Sequence, residues 1–108
     1  MSGFDEIAAR LREGKQEEGD RIVLIDNLPS FERYEPLRQQ VRALLIRSSL
    51  DDPSADVRLV AVQHLTADPS AEAQAALARA QQKETDPAIR GVLTANQQRR
   101  AAAKQKQQ

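Results

Sequence analysis

Cysteine is absent from this 108-residue chain, and so is tryptophan. The missing thiols exclude disulfides, thiolate-ligated zinc and cysteine catalysis, and they fit a reducing compartment. The aromatic residues are Phe4, Phe31 and Tyr34 alone, too few to build a platform for stacking bases. No apolar run approaches membrane-spanning length. The opening Met-Ser-Gly-Phe-Asp-Glu does not have the basic and then apolar pattern of a secretory signal. A cytoplasmic protein without membrane insertion is therefore expected. Neither sign of charge dominates, since 16 basic residues face 16 acidic ones. The balance is uneven, however: residues 1–54 carry eight basic and eleven acidic side chains, and residues 55–108 carry eight and five.

Catalytic groups are also scarce. His64 is the one histidine, and acid–base or metal chemistry normally needs partners for it. Its position on an apolar helix face suggests a partly buried structural residue. The paired acids Glu17-Glu18 and Asp51-Asp52 read as solvated turns or helix caps. A glycosidase would need two carboxylates across a cleft, and no cleft is evident in a chain of this size. Glycine-rich phosphate loops, Gly-x-Ser-x-Gly elbows and calcium loops do not occur. No catalysis and no cofactor are expected.

What the chain does have is a well-marked stretch at residues 51–65, Asp-Asp-Pro-Ser-Ala-Asp-Val-Arg-Leu-Val-Ala-Val-Gln-His-Leu. Pro53 fixes its own φ and turns Asp52 away from helical geometry. Ser54 or Asp56 can then cap a new helix. Val57, Val60, Ala61, His64 and Leu65 follow at helical spacing, while Leu59 and Val62 point elsewhere. A helix apolar over more than one stripe is expected between neighbours. The order recurs as Asp86-Pro87-Ala88-Ile89-Arg90-Gly91-Val92-Leu93, with Val57 to Ile89 and Arg58 to Arg90 both 32 residues apart. A distorted copy sits at residues 20–28. A period of this length signals stacked helical hairpins.

On these residues the chain resembles the HEAT-repeat family, whose second helix commonly opens with Asp-Pro, then Val-Arg, then spaced Ala and Leu. The resemblance covers residues 34–100. An unrelated helical bundle with an Asp-Pro turn is the competing reading. The resemblance implies an all-α fold: a short right-handed α-solenoid of about two to three antiparallel hairpins and five to six helices. It also implies that Asp52 and Arg58, with Arg90 in the later copy, link neighbouring repeats. Asp86 lies closer to Arg90 than Asp52 does to Arg58, and Glu84 stands at the matching distance. Some HEAT-like enzymes bind iron through repeated His-Glu pairs, but here Leu65 follows His64.

Taken in order, Phe4, Ile7, Ala8 and Leu11 mark a first amphipathic helix with Ser2 as its cap, and residues 12–19 read as a loop. Residues 21–28, with Ile-Val-Leu-Ile, are ambiguous. Their β-branched content favours a strand, but no second strand is evident to satisfy its backbone, so a helix is expected. Pro29 ends it, and Pro36 suits the first turn of the next helix. That helix, through Leu37, Val41, Leu44, Leu45 and Ile46, should run to about Leu50. Asp68-Pro69-Ser70 makes another break. Residues 71–83 then place Ala73, Ala76, Leu77 and Ala80 on one face. A last helix from Ala88 to about Gln98 should pack through Ile89, Val92 and Leu93. Residues 1–98 thus form one domain, and residues 99–108 a basic, Gln- and Ala-rich tail, either a frayed helix or disordered.

These features predict a non-catalytic protein–protein interaction module, a small adaptor or regulatory subunit whose groove receives a peptide or helix of another protein. Tyr34, Arg38 and Arg42, at helical spacing beside the apolar stripe, are the candidate contacts. One alternative is weak nucleic-acid binding, with Arg99, Arg100, Lys104 and Lys106 touching phosphates in a salt-dependent manner. The balanced charge argues against it. Another is an accessory subunit of an enzyme or transporter system, as HEAT-like repeats serve bilin lyases and permeases. Self-association is a further expectation, because a short stack exposes its end faces.

Overall fold

Acids at the turns decide where the later helices begin. In a computed structural model that describes the backbone of residues 2–106 and the side chains of residues 3–103, Asp52 Oδ1 accepts the Ser54 N–H at 2.9 Å. Ser54 Oγ in turn accepts the Val57 N–H at 3.4 Å and opens helix α4, Ala55–Thr66. Asp68 and Ser70 repeat the device for α5, Ala71–Lys83, with bonds of 2.9 and 3.2 Å. Asp86 Oδ1 accepts from the N–H groups of Ala88 and Ile89 at 3.0 and 3.2 Å and starts α6, Pro87–Lys106. Each device satisfies donors that a helix N-terminus otherwise leaves free.

Upstream lie α1 (Ser2–Glu13), α2 (Glu18–Asn27) and α3 (Glu35–Asp51), with a 3-10 turn at Leu28–Phe31 between α2 and α3. The chain is all-helical among the described residues. The ambiguous residues 21–28 are therefore helical up to Asn27, as the lack of any pairing strand requires. Leu28 begins the 3-10 turn, where Pro29 has no N–H to lose. Ser2 lies within α1 as its first residue, not ahead of it. Gly14, at φ 66°, closes α1 in the left-handed conformation and bonds back to the Arg10 carbonyl at 3.3 Å. No helix among the described residues is long and apolar enough to cross a membrane.

Helix α4 sits at the centre. It contacts α2, α3, α5 and α6, and α3 also contacts α5. This explains its wide apolar circumference: Val57, Ala61, Val62 and Leu65 are all fully buried. Ala73, Ala76 and Ala80 face inward from α5, where small side chains permit close approach but bury little area. Phe4 of α1 meets Phe31 edge-to-face at 5.6 Å, so two of the three aromatics close one end of the core. The Cα envelope is a slab of 45 × 32 × 16 Å.

Helix α6 does not end near Gln98 but continues to Lys106. After Gly91 the sequence contains no Gly or Pro to stop it, and Ala, Gln, Arg and Lys all favour helix. Residues 97–103 are exposed throughout, so propensity and not packing carries this extension.

Denaturant unfolding should grade these roles. Leu65→Ala opens a cavity at the centre and should lose about 2–5 kcal/mol. Val23→Ala, at a position 58% exposed, should stay within about 0.5 kcal/mol of the native chain. Gly91→Ala places a methyl where nothing lies within 4 Å and should gain about 0.5–1 kcal/mol from helix propensity.

Candidate functional site

Polar side chains gather at both ends of the helices. At one end they form a ladder. Arg21 of α2 donates to both carboxylate oxygens of Asp52, at 2.9 and 3.0 Å, and to the Gln16 carbonyl. Arg58 of α4 does the same one step along, reaching both oxygens of Glu84 at 2.9 and 3.2 Å and the Asp52 carbonyl at 2.8 Å. Arg90 of α6 bonds the Glu84 carbonyl at 2.8 Å. Asp52 and Arg58 thus join different neighbours: the Asp52 carboxylate faces backward to α2, and the Arg58 guanidinium faces forward to the α5–α6 turn. Glu84, not Asp86, provides the acid for Arg58. Arg90 holds its own turn and, among the described residues, no acid.

The Glu84 carboxylate is 5% exposed. Burial works against its charged form. The Arg58 hydrogen bond, the Asp86 N–H, the Arg58 charge and the Thr85 N–H together outweigh burial and hold its pKa below the ordinary value. The hydrogen bond that Arg58 donates to Glu84 in turn raises the pKa of Arg58 against the opposing effect of burial.

At the opposite end, the 3-10 turn, the start of α3 and the α4–α5 turn surround the candidate site, a cleft of about 570 Å³. Arg33, Arg38, Arg42 and His64 approach it, with Pro29 and Pro69 on its apolar walls. The Asp68-Pro69-Ser70 turn is held like the ladder turns, with Gln74 Nε2 donating to the Asp68 carbonyl at 2.7 Å in the place of arginine. The Asp68 carboxylate is left to accept Arg42 Nε at 2.7 Å, and Arg42 also reaches Glu72 at 3.3 Å. For Asp68, too, burial raises the pKa. The Arg42 bond, the Ser70 backbone and side-chain bonds and the Arg42 charge prevail and leave it lowered. No protein-family model, curated protein sequence or solved structure matches this chain.

The candidate contacts therefore divide. Arg42 is spent on Asp68 and Glu72, with its side chain 15% exposed, and acts as a tie between α3 and α5. Arg38 is 45% exposed, holds Glu35 and the Glu32 carbonyl, and retains unused N–H groups. Tyr34 lies ahead of α3 as its N-cap, not on its face, and is 42% exposed. The Arg33 guanidinium sits over the Tyr34 ring at 5.8 Å and makes no ion pair among the described residues. His64 Nε2 lies 2.7 Å from Asp26 Oδ1 and links α4 to α2. Among the described residues, no group of His and acids could hold a metal ion. Arg99 and Arg100 are exposed on α6, and the side chains of Lys104 and Lys106 lie outside the described residues.

Sequence reasoning missed Arg33 and the Arg21–Asp52 and Arg42–Asp68 pairs. A local signal existed for the turns, not for the pairs. Asp52 and Arg58, Asp68 and Gln74, and Glu84 and Arg90 are each six apart, which marks three turns held by the same bond.

Arg58→Ala should lose about 3 kcal/mol of stability, toward the low end for a buried pair because Arg58 lies at the rim. Glu84 and Asp68 have lowered pKa values, so their contribution is full above the usual carboxylate range and lost as pH falls through the lowered folded values. Unfolding followed from neutral pH to below about pH 4 should show this loss, with a shallower slope in Arg58→Ala.

Proposed function

We propose that this chain is a short HEAT-like stack of helical hairpins that serves as a non-catalytic adaptor, receiving an acidic peptide or helix of another protein. The observation that carries this reading is the cleft beside the α4–α5 turn. It is wide, open and walled in part by prolines. Arg33 and Arg38 sit at its edge with donors to spare, and the exposed Tyr34 ring adds an amphipathic surface of the kind enriched at protein contacts. Arg42 supports the floor from beneath through Asp68. A partner carboxylate could form a bidentate bond with the Arg33 guanidinium and accept from the unused N–H groups of Arg38. The ladder at the other end of the helices braces the α3–α4 and α5–α6 turns. The repeated Asp-Pro turn supports the family resemblance, as does the placing of α4 between α2 and α6.

A peptide library of acidic amphipathic sequences, read by NMR shift changes, should perturb Arg33, Tyr34, Arg38 and His64 together. Arg33→Glu combined with Arg38→Glu should weaken the selected peptide by about tenfold or more. Arg79→Glu, on the exposed side of α5, should leave affinity unchanged. Peptides whose binding perturbs a different surface, or ignores the double reversal, would remove the cleft from the account.

A further inference from the structure

The ladder is incomplete at both ends: one ends in an arginine that meets no carboxylate among the described residues, and the other in a turn whose acid position holds Gln16, flanked by the exposed acids Glu17 and Glu18. Each of its arginines has two tasks where the chain allows: to bond the carbonyl of its own turn and to grip the acid of the next turn. Arg21 and Arg58 do both. Arg90 does only the first, to the Glu84 carbonyl, and no carboxylate meets it among the described residues. At the opposite end, Gln16 stands where Asp52 and Glu84 stand in their turns, with its carbonyl taken by Arg21. No arginine comes to its side chain, and its Oε1 is a buried acceptor without a donor. Glu17 and Glu18 lie exposed beside it.

Two further features match across the same two ends. Helix α6 carries Arg90, Arg99, Arg100, Lys104 and Lys106 and no acid, whereas the end of α1, the α1–α2 turn and the first residues of α2 carry Glu13, Glu17, Glu18 and Asp20 against Lys15. Opposite charge on opposite edges favours contact between unlike edges and opposes contact between like ones. The outer side of α2 exposes Val23, a large aliphatic side chain 58% accessible. Between α5 and α6 lies an open groove of about 430 Å³, floored by Leu77 and Leu93, with Ala78 and Arg100 at its margin.

We propose that copies of this chain associate head to tail: the α5–α6 edge of one copy seats the α2 edge of the next. Arg90 then finds the carboxylates of the Gln16–Glu18 turn, and Val23 enters the α5–α6 groove. The contact is heterologous, so it leaves one edge free on each terminal copy and builds an open chain, not a two-fold dimer. This surface is separate from the Arg33–Arg38 cleft, and neither depends on the other.

The test is sedimentation of the full, nuclease-treated chain over rising concentration, at low and at high salt. The native chain should form a ladder of species that shortens with salt. Arg90→Glu and, separately, Glu17→Lys with Glu18→Lys should each weaken association by about tenfold or more. Mixing the two variants should restore it, because each supplies the reversed charge the other lacks. Arg99→Glu with Arg100→Glu, which leaves Glu84 undisturbed, should weaken it as well, and helix content should be unchanged in all of them. A native chain that stays monomeric would overturn the proposal. So would a dimer insensitive to these reversals, a mixture that does not recover, or association that appears only with added nucleic acid.

Discussion

A core with two aromatic residues, Phe4 and Phe31, and an alanine-rich helix cannot fix its geometry by bulk alone. The bidentate bond from Arg58 to Glu84 supplies the missing constraint. It ties the middle of the chain to its last turn at a definite distance and angle, and the same guanidinium braces the turn from which its own helix springs. A planar fork with fixed donor directions suits this double task, which an ammonium could perform only as a point charge.

From that constraint the remaining packing follows. With α4 held on both sides, its apolar circumference is covered by four helices and reaches full burial at Val57, Ala61, Val62 and Leu65. The alanines of α5 then act as spacers, letting helices approach where larger residues would hold them apart. The cleft and the open edges are consequences of the same arrangement. The cleft end is tied as well, by Arg42 to Asp68 and by His64 to Asp26, and the Arg90 guanidinium meets no carboxylate among the described residues.

Much of this was legible in the sequence where a local rule applied. The breaks at Asp52-Pro53-Ser54 and Asp68-Pro69-Ser70 could be read directly because proline geometry and serine capping act within a few residues. The inward face of α5 was visible as Ala73, Ala76, Leu77 and Ala80 for the same reason. Residues 21–28 were ambiguous, since β-branched content and helical context pull in opposite directions and only the absence of a partner strand decides. Tyr34 and Arg42 looked alike on a helical wheel yet have different fates. One stands free before the helix, and the other is consumed by Asp68, 26 residues away.

The sequence alone determined where the helices lie, the Ser54 and Ser70 caps and the inward sides of α4 and α5, because backbone propensity and apolar periodicity are short-range properties. It also determined that α6 could continue into its Ala- and Gln-rich end, even though a fading apolar signal suggested a stop. Only the tertiary structure decided which arginine meets which acid. An ion pair between helices depends on how turns separated by 26 or 31 residues come together, and no local pattern specifies that distance. The same holds for what remains unpaired: Arg33 and Arg90 differ from Arg42 and Arg58 not in chemistry but in what the fold has placed within reach.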